Sequence, residues 1–218
     1  MTSDNIETRL QAIKARISSA AQRVGRDPGE ISLLAASKTV DRQVVLDAIS
    51  SGLDHIGENQ IQEAETKFGD KAESLADKAV NFHMIGHLQT NKVRKALELF
   101  DTIQSVDSVR LAKRINSRAI EIDKIVSVYV EVSVAPEDSK TGAKLSEVSE
   151  LLSLIKESSN LRLEGLMTVP PFLEDPEHVR PYFRKLREIR DEFHNSGLIG
   201  EESLKLSMGM SHDFEVAI

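Results

Sequence analysis

The sequence predicts an α/β fold, a TIM (β/α)8-type barrel with an extra N-terminal helix and with the eighth strand missing from these 218 residues. Three observations predict it. Short apolar runs alternate with segments of helical periodicity along the chain, the signature of a parallel sheet with helices outside it. The runs number seven, and one helical segment precedes the first of them. The residues that follow the runs are amines, amides, hydroxyls and glycines, a composition suited to the strand-end face where barrels place their chemistry. A doubly wound sheet fits the same alternation. The strand number and the leading helix favour the barrel, whose typical length of about 250 residues leaves room for one more strand.

Taken in order, Ile6, Leu10, Ile13, Ile17 and Val24 mark one face of the first helix, and Gly25-Arg-Asp-Pro-Gly29 ends it. The run over 31–37 is continuous and rich in branched residues, as buried parallel strands are. A helix over 42–51 follows. Next come a strand over 54–57, a helix over 60–68, a strand over 80–85 and a helix over 91–100. A short strand over 102–105 leads into a helix over 108–120. The strand over 125–132 is the clearest, because Val126, Val128, Val130 and Val132 alternate with Ser127, Tyr129 and Glu131. A helix over 145–157 and a strand over 161–167 come next. Pro181 opens another helix at its first position, where the missing N–H costs nothing. That helix is expected to bury Tyr182, Phe183, Leu186, Ile189 and Phe193. A strand over 203–207 follows, and Ser211 is expected to cap a last helix reaching the final residue. No linker, repeat or low-complexity tract interrupts the chain, so residues 1–218 read as one domain.

Composition narrows the function classes. A chain 40% hydrophobic and 29% charged is ordinary for a soluble globular domain. No stretch approaches the roughly 18 apolar residues of a membrane span, and Met1-Thr-Ser-Asp-Asn lacks the basic and apolar regions of a secretory signal. The absence of cysteine excludes disulfides, thiolate catalysis and zinc–thiolate sites, and it is compatible with a cytoplasmic location. A net charge of −7 argues against nucleic acid as a partner, though a local basic pocket for a small phosphate is compatible with it.

Lys38 is the leading candidate for chemistry. It stands at the end of Ile31-Ser-Leu-Leu-Ala-Ala-Ser37, where a buried ammonium would be destabilised and a neutral amine could attack an aldehyde. The alternative is a lysine whose ammonium simply reaches solvent past the strand end. The second candidate is Ser207-Met-Gly-Met-Ser211. This glycine-bearing turn leads into a helix, so its backbone N–H groups can face an anion. It follows the seventh strand, where barrels often bind phosphate. An ordinary strand-to-helix turn capped by Ser211 fits those residues as well. His83 and His87 are four apart but lie on a strand and past Gly86, so they do not form a helix-borne metal pair. Ser153-Leu-Ile-Lys156 lies on an amphipathic helix without companion motifs and reads as surface. Neither Gly-x-Gly-x-x-Gly nor a Walker lysine loop occurs, which disfavours dinucleotide and nucleoside-triphosphate enzymes.

Together these residues resemble the pyridoxal-phosphate homeostasis family, single-domain barrels related to the N-terminal domain of alanine racemase. The similar stretches are Leu33-Leu-Ala-Ala-Ser-Lys38-Thr39, Gly57-Glu-Asn59, His83-Met-Ile-Gly-His-Leu-Gln-Thr-Asn-Lys92, Ser139-Lys-Thr-Gly142, Gly165-Leu-Met167 and Leu206-Ser-Met-Gly-Met-Ser211 with Asp213. By this resemblance Lys38 holds pyridoxal 5'-phosphate as an internal aldimine. Ser207, with backbone amides near Gly209 and Met210, takes part of the phosphate. Asn59, His83 and Met167 line the ring. The family continues past Glu215-Val-Ala-Ile218 into an eighth strand with an Arg-x-Gly-Thr motif that adds phosphate contacts. The chain as given is therefore expected to retain the cofactor less tightly than one carrying that segment.

The resemblance also frames catalysis. In the racemases a tyrosine from a second domain acts as a base at the substrate carbon, and these residues contain no such domain. Tyr129 and Tyr182 fall on a strand and an outer helix. The leading expectation is a non-catalytic carrier that holds pyridoxal phosphate as a Schiff base and releases it to apo-enzymes, with monomer as the expected state. Lys140 could act as a second amine on the exit route, against an ordinary solvated loop charge. The alternatives are a racemase-like or dehydratase pyridoxal-phosphate enzyme and, from another class, a Schiff-base aldolase acting on a sugar phosphate.

Overall fold

Seven parallel strands pair in chain order in the computed structural model, which describes residues 3–69, 78–135 and 141–218. They are β1 (Leu34–Ala36), β2 (His55–Glu58), β3 (Asn81–Met84), β4 (Thr102–Val106), β5 (Val126–Glu131), β6 (Leu161–Met167) and β7 (Lys205–Ser207). Among the described residues β1 and β7 have one neighbour each, so the sheet curls without closing. The curl brings its two sides within hydrogen-bond reach: the Ser207 hydroxyl at the end of β7 donates to Gln104 on β4, 103 residues away in sequence. The expected strand over 31–37 shrinks to β1. Pro28–Glu30 forms a 3-10 turn ahead of it, and only residues facing β2 find ladder partners.

The α-helices among the described residues are α1 (Ser3–Arg23), α2 (Arg42–Ser50), α3 (Ile61–Phe68), α4 (Val93–Leu99), α5 (Val109–Glu121), α6 (Leu145–Glu157), α7 (Arg180–Asn195) and α8 (Phe214–Ala217). All but the four-residue α8 contribute apolar side chains to one core shared with the outer face of the sheet. Ile56, Phe82, Ile103, Val128 and Leu166 come from the strands; Phe68, Leu97, Ile115, Leu152 and Leu186 come from the helices. Burying such a side chain contributes roughly 1.5–3 kcal/mol. The alternation in β5 is therefore not core against solvent. All six of its residues are buried, with the valines in the helix-facing core and Ser127, Tyr129 and Glu131 outside that cluster, on the inner face.

The inner face is polar, unlike the branched apolar filling usual in such barrels. Thr102 Oγ1 donates to Asn81 Oδ1 (2.9 Å). Nearby, Ser127, Arg162 and Lys205 all bond the carboxylate of Glu164. Burial pushes that carboxyl up, but the hydrogen bonds from Lys205 and Ser127 outweigh it and hold it below the usual range. A register shift in the β5–β6 pairing leaves Gly165 opposite Tyr129. A Cβ on Gly165 would collide with the Lys205 carbonyl, so the β6–β7 pairing requires glycine there.

At the N-terminus, Val24 lies past the end of α1 and is exposed, so the buried stripe is Ile6, Leu10 and Ile17 with Ala20 and Ala21. Arg16 and Arg23 on α1 pair with Glu215 on α8, and the Arg16 guanidinium sits 4.6 Å from the Phe214 ring centroid. In α7, Phe183, Leu186 and Ile189 are buried, whereas Tyr182 and Phe193 are only half-buried at the edges of the stripe. Among the described residues no helix is long and apolar enough to cross a membrane.

Candidate functional site

Lys38 is the second residue past β1, at the carboxyl end of the sheet, and it is exposed rather than buried. β1 is an edge strand of the described sheet, and Ala36 on it is also exposed, so among the described residues nothing covers the amine. Lys38 Nζ has no hydrogen-bond or ion-pair partner among the described residues. The reading of a desolvated cation is thus replaced by one of an open, unpaired amine.

The backbone around that amine is clamped on both sides. Ser37 Oγ donates to Glu58 Oε1 (2.7 Å), and the Ser37 carbonyl accepts from Lys67 Nζ (2.6 Å). The Thr39 N–H donates to Glu63 Oε1 (2.5 Å), holding Thr39 at a left-handed φ of 62°. A non-glycine residue rarely adopts that conformation without support. Lys67 Nζ ties the parts together with bonds to Glu58 Oε1 (3.0 Å) and Glu63 Oε1 (2.6 Å). Burial pulls the Lys67 ammonium down, but its hydrogen bonds to Glu63 and Glu58 outweigh this and raise its pKa. The Lys67 bond, together with the Thr39 N–H, holds the Glu63 carboxyl below its ordinary range. Glu58 is fully buried, and its Oε2 has no partner. Sequence reasoning did not assign roles to Glu58, Glu63 or Lys67. The available signals were the Glu63–Lys67 spacing of four on one helix and a carboxylate at a strand end.

Behind this clamp a second network crosses the hollow of the sheet. His55 Nδ1 lies 2.9 Å from His83 Nε2, and His83 Nδ1 lies 3.0 Å from Gln104 Nε2. Gln104 Oε1 accepts from Ser207 Oγ (2.6 Å). His83 is therefore committed through both ring nitrogens. Burial, followed by the neighbouring His55, lowers its pKa to about 4. Met167, also expected beside the ring, pairs in register with Ser207, is buried and stays outside the helix-facing core. Asn59 is half-buried, and its side chain has no hydrogen-bond partner among the described residues. Neither His55 nor Gln104 had been singled out; a polar residue inside an apolar strand run was the only clue.

The turn after β7 was expected to receive an anion through Ser207, Gly209 and Met210. Gly209 has a φ of 87°. The Met210 N–H is already taken by Asp213 Oδ1 (2.6 Å), and the Ser207 hydroxyl by Gln104. The N–H groups of Gly209, Ser211 and His212 have no acceptor among the described residues. Asp213, not Ser211, occupies the cap position of α8, and its buried carboxylate folds back to accept from the turn rather than from the helix. The turn thus offers open backbone donors suited to a phosphate, with two more held in reserve by protein acceptors.

The other expected groups divide. Tyr129 is buried, and desolvation, aided by Glu164, pushes its phenol up to about 12, so it stays protonated at neutral pH. Lys140 lies outside the described residues. His87 Nδ1 sits 3.4 Å from Asp107 Oδ2 rather than beside His83. Among the described residues no group of His, Asp and Glu is arranged to hold a metal. A basic groove of about 460 Å³ lies elsewhere, lined by Thr90, Asn91 and Ser117 with Arg110, Lys113 and Arg114.

Comparison with known proteins accounts for the arrangement. The model of the alanine racemase N-terminal domain matches residues 8–217. A pyridoxal phosphate homeostasis protein of Aquifex aeolicus is 44% identical over 210 residues, covering 96% of this chain and 90% of that protein. A crystal structure from Bifidobacterium adolescentis, described as an unknown protein, superposes with a TM-score of 0.90 at 35% identity, over 99% of this chain and 89% of that one. PipY of Synechococcus elongatus, solved with pyridoxal phosphate bound, has a TM-score of 0.78 at 29% identity, over 92% of each chain. A seven-stranded parallel sheet with an exposed lysine at its carboxyl end, the match to the racemase N-terminal domain over residues 8–217 and 44% identity over nearly the whole chain place this protein in the pyridoxal phosphate homeostasis protein family.

Proposed function

We propose that this chain, as a single domain, binds pyridoxal 5'-phosphate and acts in its homeostasis as a carrier rather than as an enzyme. The observation that carries the reading is the unpaired, exposed amine of Lys38, held on a clamped backbone at the same end of the sheet as a turn with open N–H donors. Lys38 would hold the aldehyde carbon covalently. Gly209, Ser211 and His212 N–H groups, with Ser207, would hold the phosphate, and Asn59 and Met167 would bound the ring. Bound pyridoxal phosphate supplies an aldehyde that exchanges between amines.

The chain's own residues favour holding over turnover. A base at a substrate carbon would have to be unprotonated at neutral pH, and Tyr129 stays protonated. Tyr182 lies on α7, in the outer layer. The exposure of Lys38 gives incoming amines free access, which suits release to apo-enzymes as recipients. A monomeric, cytoplasmic protein is the form proposed.

The test is the visible spectrum of the chain mixed with pyridoxal phosphate, beside Lys38→Ala, followed by borohydride reduction and mass mapping. A visible band that is absent in Lys38→Ala, with the reduced adduct on Lys38, is the expected result. An adduct scattered over surface lysines would overturn the site, and steady turnover of free amino acids would overturn the carrier reading.

A further inference from the structure

The chain Ser207–Gln104–His83–His55 has a direction that follows from hydrogen-bond chemistry. A serine hydroxyl has one hydrogen, and here it is spent on Gln104 Oε1. The amide nitrogen of Gln104 can only donate, so the His83 Nδ1 facing it carries no proton. The proton of neutral His83 is then on Nε2, and it donates to His55 Nδ1. His55 in turn carries its own proton on Nε2. Every donor runs the same way, from β7 through β4 and β3 to β2.

This direction conflicts with phosphate binding. A phosphate dianion accepts hydrogen bonds and donates none, so Ser207 cannot serve it while its hydrogen faces Gln104. If Ser207 simply turned away, Gln104 Oε1 would lose its partner, and a buried acceptor left unmade is costly. The reversed chain keeps every buried group from Ser207 to His55 Nδ1 paired. The Gln104 amide rotates by half a turn and donates to Ser207 Oγ. Gln104 Oε1 then accepts from His83 Nδ1–H, and His83 Nε2 accepts from His55 Nδ1–H. One proton leaves His55 Nε2 for solvent, the His83 Nε2 proton passes to His55 Nδ1, and one proton from solvent arrives at His83 Nδ1. The number of bound protons is unchanged.

We propose that Gln104 is a positioning residue that decides whether Ser207 donates into the protein or to a bound phosphate, the buried chain reversing its hydrogen-bond direction when the phosphate arrives. The inference rests on the proposed function, because it takes the phosphate of pyridoxal phosphate as the dianion at Ser207. Through it, occupancy at the end of β7 is transmitted to the His55 ring on β2.

The experiment is long-range proton–nitrogen NMR of the full chain with labelled histidine, which reports which ring nitrogen carries the proton. Spectra are recorded alone, with pyridoxal phosphate and with pyridoxal, which lacks the phosphate. His83 and His55 are expected as the Nε2–H form alone and with pyridoxal, and as the Nδ1–H form with pyridoxal phosphate. In Ser207→Ala the phosphate-dependent change should vanish. In Gln104→Glu, whose carboxylate only accepts, His83 should be Nδ1–H without ligand, and the preference for pyridoxal phosphate over pyridoxal should fall about tenfold or more, the worth of a hydrogen bond to a charged group. Unchanged tautomers in a chain that carries the reduced adduct on Lys38 would overturn the relay and leave the function standing. No binding of pyridoxal phosphate at all would overturn both.

Discussion

Lys67→Met is expected to lower the folding stability by about 3–5 kcal/mol, the usual cost of removing one partner from a buried ion pair. Glu58 is fully buried and the Lys67 side chain is only 11% exposed, so water does not readily replace the lost ammonium. The carboxylate would keep a single partner, the Ser37 hydroxyl, and its Oε2 already has none. The Ser37 carbonyl would lose its donor in the same step, loosening the strand end that carries Lys38. Adding Glu58→Gln to Lys67→Met should recover most of the loss, because the buried charge is then gone. Urea unfolding of the three variants beside the parent checks this. A single-variant loss below about 1 kcal/mol, the range of solvent-exposed pairs, would show that the clamp is not a closed network.

The second large effect is acid sensitivity through His83. Its pKa is about 4 in the folded chain, against 6.5 for the unperturbed ring. Between those values the unfolded chain binds a proton that the folded chain does not, so stability falls as pH drops through that window. The full loss is about 3 kcal/mol and is complete below the folded value. Above the unfolded value His83 contributes no pH dependence. The cause is burial, followed by repulsion from His55; Asp101 and Glu164 act in the opposite sense, favouring the charged ring, and Lys205 disfavours it. Stability measured against pH in the parent and in His83→Gln, which can still accept from Gln104 and donate to His55, isolates this contribution. The parent should lose stability more steeply than the variant between those two pH values; parallel curves would refute the assignment.

The comparison of sequence with structure divides along a physical line. Every strand and helix named from periodicity is present, with ends displaced by a few residues, most at β1, where an edge strand lacks ladder partners on one side. Tyr182 and Phe193 sit at the margin of the α7 stripe, so apolar character alone overstated their burial. Among the candidate site residues, the strand-end positions of Lys38 and Ser207 were legible because strand ends and glycine-bearing turns are local features. The start of α8 at Asp213 rather than after Ser211, and the bond between the Met210 N–H and the Asp213 carboxylate, were not legible, because no local pattern shows the direction in which that carboxylate points.

The sequence by itself determined the alternation of strands and helices, the outer apolar core, the position of one amine at a strand end and the family. These depend on periods of two and of 3.6 residues, which short windows contain. Only the tertiary structure decided that Lys38 is open to solvent, that Lys67 clamps its backbone, and that Ser207 spends its hydrogen on Gln104. The first two depend on how α3 packs against the ends of β1 and β2 at the sheet edge, and the last on the curl that brings β7 across the hollow to β4. Curl is set by the twist and packing of all the strands together, and no local stretch of residues encodes it.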